Sequence, residues 1–63
     1  SHKIEQMAEI LLAIRKQRGI TVEEISIETG IEYSKVTELT QLLETDGFIS
    51  IDLLQRCTIN IRK

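Results

Sequence analysis

Three glycines and no proline in 63 residues constrain this chain more than any other feature. Gly19, Gly30 and Gly47 each follow a stretch with helical apolar spacing, so they read as three helix ends. The stretch from Gly19 to Ile49, GITVEEISIETGIEYSKVTELTQLLETDGFI, carries most of the information. It reads as a short turn, a short helix, a tight turn at Gly30, a second helix, and a glycine-marked exit into a strand. Gly30 supplies the positive φ that a tight turn between two helices needs.

The first helix is expected from Lys3 to Arg18. Ile4, Met7, Leu11 and Ile14 recur at intervals of three and four, which is one helical stripe widened by Ala8 and Ile10. Leu12 falls off that stripe. Arg15, Lys16 and Arg18 crowd the last turn, where cations suit the helix dipole. Ile20 is short extended chain. Thr21-Val-Glu-Glu24 then forms a capping box that opens the second helix, with Val22, Ile25 and Thr29 facing inward. Ser26 is small where a neighbouring helix crosses closely. The third helix is expected from Tyr33 to Asp46, with Val36, Leu39, Leu42 and Leu43 as its inward stripe. Alternation then predicts two strands. Phe48, Ile49, Ile51 and Leu53 begin the first, with Ser50 and Asp52 alternating outward. Cys57, Ile59 and Ile61 point inward on the second, which runs from Cys57 to Lys63, with Thr58, Asn60 and Arg62 outward. A turn around Leu54 to Arg56 joins them. The expected fold class is mainly α with a small antiparallel β-hairpin.

Composition bounds function by exclusion. A 41% hydrophobic fraction suffices for one core, and with Tyr33 and Phe48 as the two aromatics that core is aliphatic. Ser1 and His2 read as a tag remnant, which leaves residues 3–63 as the domain. The single cysteine cannot form an internal disulfide, and its place on an alternating strand reads as core filler with a redox thiol as the lesser alternative. No His or Cys stands at ligand spacing, so no metal or cofactor is expected. No acid–base pair, activated nucleophile or phosphate loop is present, so an enzyme is not expected. No apolar run approaches the roughly 18 residues that span a bilayer, and no signal peptide is visible. The expectation is a cytoplasmic protein without a membrane partner.

Three patterns, in order and at matching spacing, resemble the winged helix-turn-helix family over Ile4 to Arg62. They are Thr21-Val-Glu-Glu-Ile-Ser-Ile-Glu-Thr-Gly-Ile31, Val36-x-x-Leu39-x-x-x-Leu43, and Leu43-Glu-Thr-Asp-Gly-Phe-Ile49. The resemblance implies a three-helix winged helix-turn-helix, with double-stranded DNA as the partner and transcription regulation as the role. In that family the second helix of the unit lies in the major groove and the wing touches backbone or minor groove. By position, Tyr33, Ser34, Lys35, Thr37 and Gln41 would read the groove, beside Glu38. Arg56 at the wing tip, with Arg62 and Lys63, would hold the backbone.

The charge departs from that family's pattern. Between Ile20 and Gly47 stand seven acids, Glu23, Glu24, Glu28, Glu32, Glu38, Glu44 and Asp46, against the one base Lys35, a net −6. Affinity for duplex DNA is dominated by neutralising phosphates with Lys and Arg. The flanking segments, Lys3 to Gly19 and Phe48 to Lys63, each carry +2. A DNA contact would therefore draw its charge from those flanks. The alternative is a protein–protein interaction module of a larger assembly. Leu12, Ile27 and Leu54 are its contact candidates, since each is apolar where the pattern is usually polar, and two of the three are expected to be half-buried. A homodimer through the first helix is one version of that alternative. Thr40, conversely, falls where a leucine often packs.

Overall fold

The computed structural model describes residues 2–61. Helices α1 (His2–Lys16), α2 (Val22–Thr29) and α3 (Tyr33–Thr45) precede two strands, β1 (Ile49–Ile51) and β2 (Cys57–Ile59). The strands pair antiparallel, with Ile49 opposite Ile59 and Ile51 opposite Cys57. The architecture is three helices and a small two-stranded sheet around one aliphatic core. None of the described helices is long and apolar enough to cross a membrane.

Helices α2 and α3 are bounded for local reasons. Thr21 caps α2: its Oγ1 accepts the Glu24 N–H at 3.1 Å, and the Glu24 carboxylate accepts the Thr21 N–H at 3.0 Å. Both halves of the expected capping box are formed, leaving two helix-end donors satisfied. At the other end Gly30 takes φ +75° and donates its N–H to the Ser26 carbonyl at 2.9 Å. The end of α3 is a Schellman motif. Gly47, at φ +82°, donates to the Glu44 carbonyl at 3.0 Å, and Phe48 donates to the Leu43 carbonyl at 2.9 Å. That pair of bonds aims the chain into β1.

The core is Ile10, Ala13 and Ile14 from α1, Val22 and Ile25 from α2, Val36, Leu39 and Leu43 from α3, Ile20 and Ile31 from the connections, and Ile49 and Cys57 from the sheet. The inward stripe of α1 is thus rotated from the expected one. Ile10, Ala13 and Ile14 are buried and Met7 and Leu11 are half-buried, while Ile4 is 69% exposed. Helix α1 packs on α2, α3 and β2 through its second half, and its first turn overhangs that core.

The stripe of α3 differs too. Leu42 lies partly outside, and Thr40 is buried in the core at 1% exposure. Its hydroxyl donates back to the Val36 carbonyl at 2.8 Å and lies 3.1 Å from the Thr37 carbonyl. A helix offers every threonine these acceptors, so the hydroxyl can be buried without an unpaired donor. Ser26 serves the α2–α3 connection: its Oγ donates to the Ile31 carbonyl at 2.6 Å.

The hairpin is shorter than alternation predicts. Cys57 is fully buried, but Ile59 lies at the rim and Ile61 is exposed. Leu53, expected inward on the first strand, is entirely exposed. The core covers one or two residues of each strand, and the chain then runs out past it. On its other edge β2 meets the α1–α2 connection. Gly19 donates to the Cys57 carbonyl at 2.9 Å, Cys57 donates to the Ile20 carbonyl at 2.8 Å, and Thr21 bridges Arg56. The extended chain expected at Ile20 is therefore a short third line of the sheet.

Candidate interaction face on α3 and the hairpin turn

Tyr33, Ser34, Lys35, Thr37 and Gln41 all lie exposed on α3. Gly30 and the Ser26–Ile31 bond fix the turn that delivers α3 to this place. Arg56 lies at the base of the hairpin turn, directly bridged to Thr21. Arg62 and Lys63 lie outside the described residues.

Two cations of this face are already matched by carboxylates. Lys35 Nζ is 3.2 Å from Glu38 Oε1, one helical turn on. Arg56 Nε is 2.7 Å from Asp52 Oδ2. Such exposed pairs hold little net energy, on the order of 0–1 kcal/mol each. What they change is the field: each pair has no net charge. The Ser34 hydroxyl donates to Glu32 Oε1 at 3.0 Å, so it too faces a carboxylate.

Asp52 builds the hairpin turn. Its Oδ1 accepts the N–H groups of Leu54 at 2.8 Å and Arg56 at 3.0 Å, while Oδ2 accepts the Arg56 guanidinium. Asp52 N–H donates to the Arg56 carbonyl at 3.0 Å, and Gln55 N–H donates to the Asp52 carbonyl at 2.9 Å. The Arg56 backbone N–H, followed by the Arg56 side chain and the Leu54 N–H, holds the Asp52 carboxyl below its ordinary value. Gln55 occupies the left-handed region at φ +66° without being glycine. Its carbonyl accepts the Val22 N–H at 3.1 Å, which ties the turn to the start of α2. The sequence places Asp52 as an outward strand residue; it is the turn's organiser instead. An aspartate that can accept from an N–H two residues on was the available signal.

This bonded turn displays two leucines. Leu53 is 100% exposed and Leu54 is 67% exposed. Leu54 and Gln55 face Tyr33 and Glu23 across a shallow depression of about 270 Å³. The start of α3 and the tip of the hairpin therefore share one surface, apolar at Leu54 and the Tyr33 ring. The other contact candidates lie elsewhere: Leu12 lines a depression between α1 and α2 with Glu28 and Thr29, and Ile27 stands on α2. All three of Leu12, Ile27 and Leu54 are exposed, where two were expected to be half-buried.

Beneath the turn, Cys57 is core, as its alternation suggested. Burial first, then the charges of Asp52 and Glu44, push its thiol up to about 11. At neutral pH it is a protonated, enclosed thiol without nucleophilic character. Glu44 Oε2 accepts the Ile51 N–H at 3.2 Å, a carboxylate set against strand β1. Among the described residues no group of three His, Cys, Asp or Glu side chains is arranged to hold a metal ion. Compared with protein-family models, with curated proteins and with solved structures, the chain matches none of them.

Proposed function

We propose that this chain is a winged-helix module that docks onto another protein through the hairpin tip and the start of α3. The observation that carries the reading is the hairpin tip itself. Leu53 and Leu54 stand out on a turn held by Asp52, and Leu54 shares a depression with the exposed Tyr33 ring, where a DNA-reading wing would present cations. Two leucines next to a phosphate lose water and gain nothing, whereas in a protein pocket each recovers about 1.5–3 kcal/mol on burial. An aromatic and aliphatic cluster inside a polar rim is also how protein interfaces concentrate their energy. Glu23, Lys35–Glu38 and Arg56–Asp52 supply such a rim. The net −6 of the α2–α3 unit weakens phosphate attraction in the same direction. The single unpaired cysteine accords with a reducing, cytoplasmic setting.

The test is a photo-crosslinker at position 53, followed by reconstitution with the purified captured protein. Binding lost on Leu54→Asp and kept on Gln41→Ala supports the reading; binding indifferent to Leu54→Asp overturns it.

A second reading has its own observation. Tyr33, Ser34, Thr37 and Gln41 present hydroxyl and amide groups along one helix, a set chemically able to meet base edges and phosphates in a major groove. Under this reading the chain is the DNA-binding part of a transcription regulator, and Arg56, Arg62 and Lys63 hold the backbone once Arg56 exchanges Asp52 for phosphate. Duplex titration at low ionic strength separates the two. Saturable binding that weakens on Lys35→Glu and falls steeply with salt favours DNA. Absence of binding to duplex leaves the protein reading standing.

A further inference from the structure

The outer side of α1 carries an apolar seam that the fold covers only in part. Ile4, Ala8, Leu11 and Arg15 recur at intervals of four, three and four, the spacing that keeps one edge of a helix facing a partner helix. Ile4, Ala8 and Arg15 are exposed and Leu11 is half-buried. This is the edge beside the core stripe of Ile10, Ala13 and Ile14: Leu11 packs partly on the core from it, while Ile4 and Ala8 stay exposed.

The seam borders a furrow against the sheet. At its N-terminal end Ile4, Met7, Ala8, Leu11 and Phe48 enclose a depression of about 280 Å³. It continues past Leu12 and Arg15 to Ile59. Phe48 is half exposed on the wall of this furrow. A helix laid along α1 would cover the seam and this wall together.

We infer that the occupant is α1 of a second copy of this chain, running antiparallel. The charge pattern of the helix selects that partner and that direction. Glu5 stands in the first turn of α1, and Arg15 and Lys16 stand in the last. A two-fold axis through the middle of the seam sets Ala8 against the partner's Leu11 and Ile4 against the aliphatic stem of the partner's Arg15. At 100° per residue Glu5 and Lys16 lie on the same flank of the seam. Glu5 of each copy therefore comes beside the partner's Lys16, and symmetry makes that pair twice. A parallel arrangement would leave Glu5 and Lys16 at opposite ends and on opposite flanks of the pair, so neither would meet an opposite charge. The small Ala8 at the centre permits close approach of the two helices. Leu12, on the same flank, closes over the seam, which gives its exposure a role. This surface is separate from the hairpin tip, so the inference stands independently of the proposed docking function.

The experiment is sedimentation equilibrium of this chain over a concentration series, with charge reversal and its rescue. The expected result is a reversible monomer–dimer equilibrium. Ala8→Glu abolishes it while far-UV circular dichroism and thermal midpoint stay close to wild type, because position 8 is outside the core. Glu5→Lys and Lys16→Glu each weaken association about tenfold, since each replaces two attractive pairs by two repulsive ones. The double variant Glu5→Lys/Lys16→Glu restores it to within about threefold. A chain monomeric at every concentration, or a dimer unmoved by Ala8→Glu, overturns the inference. A dimer weakened by both single reversals and not rescued by the double overturns the antiparallel arrangement.

Discussion

Two backbone positions in the left-handed region make a test with opposite expected signs. Gly30 takes φ +75° between α2 and α3, and a Cβ built on it would meet nothing within 4 Å. Gly30→Ala therefore meets no steric clash with neighbours, and its N–H still reaches the Ser26 carbonyl. What remains is torsional, about 1–2 kcal/mol for an L-residue in this region. Loss of glycine's freedom in the unfolded chain returns about 0.4–1 kcal/mol. The net is a destabilisation of about 1 kcal/mol, which for a chain of this length lowers the thermal midpoint by roughly 4–8 °C. Gln55 presents the mirror case, a side chain already held at φ +66°. Gln55→Gly relieves the torsion and costs unfolded-state entropy, so the expected change is a gain of up to about 1 kcal/mol. Urea unfolding followed by far-UV circular dichroism measures both, with unchanged m-values as the control. A Gly30→Ala loss beyond about 2.5 kcal/mol would mean the connection is packed in a way the open space denies. A stabilised Gly30→Ala or a clearly destabilised Gln55→Gly would refute the torsional account altogether.

Other outcomes follow from the same bonds. Asp52→Asn keeps the shape of the turn but weakens acceptance from Leu54 and Arg56, so amide exchange at these two residues should speed up while core amides stay protected. Because the Asp52 carboxyl is lowered in the fold, its stabilising effect is present above the ordinary aspartate value of about 3.9 and is lost as pH falls through the lowered value. An NMR titration should accordingly show the Leu54 and Arg56 amides shifting with a midpoint below that ordinary value. Cys57 works the other way. Its thiol is raised to about 11, so stability declines as pH rises from about 8.5, where an unfolded thiol ionises, toward about 11. At neutral pH its alkylation should be limited by opening of the core, and added urea should accelerate it. Thr21→Ala removes the α2 cap and is expected to cost about 1 kcal/mol in thermal or urea unfolding. Thr40→Val fills the same volume without the hydroxyl, leaves no buried donor unpaired, and should change stability by less than about 1 kcal/mol.

Local chemistry made much of the order of elements legible. The capping box, Gly30 and Gly47 act through bonds spanning three to five residues, so their effect is written within a few positions of one another. The inward residues of α2, Val22 and Ile25, follow from helical spacing for the same reason. Where a helix contacts neighbours on more than one side, spacing alone gave a rotated answer. Ile4 completes a perfect stripe on α1, yet it overhangs a core that begins at Met7 and Ile10. Thr40 was polar by type and buried by position, because a helix supplies its own acceptors for that hydroxyl.

Most residues of the candidate face are named by the sequence pattern, but how they come together was least visible there. Leu53 obeys the alternation that puts strand residues inside, and it is fully exposed because the chain has already entered the turn that Asp52 closes. Tyr33 and Leu54, twenty-one residues apart, share one depression only because α3 and the hairpin fold back toward each other. Pairing of Lys35 with Glu38 was within reach of helical spacing, whereas pairing of Arg56 with Asp52 required the turn. By itself the sequence determined three capped helices, a following hairpin, an aliphatic core and the charge carried by each segment. The tertiary structure decided which edge of each apolar stripe is inside, where the strands stop, and which cations remain unmatched. Burial and ion pairing are properties of surfaces brought together across the chain, and no local pattern encodes the partner that a surface will meet.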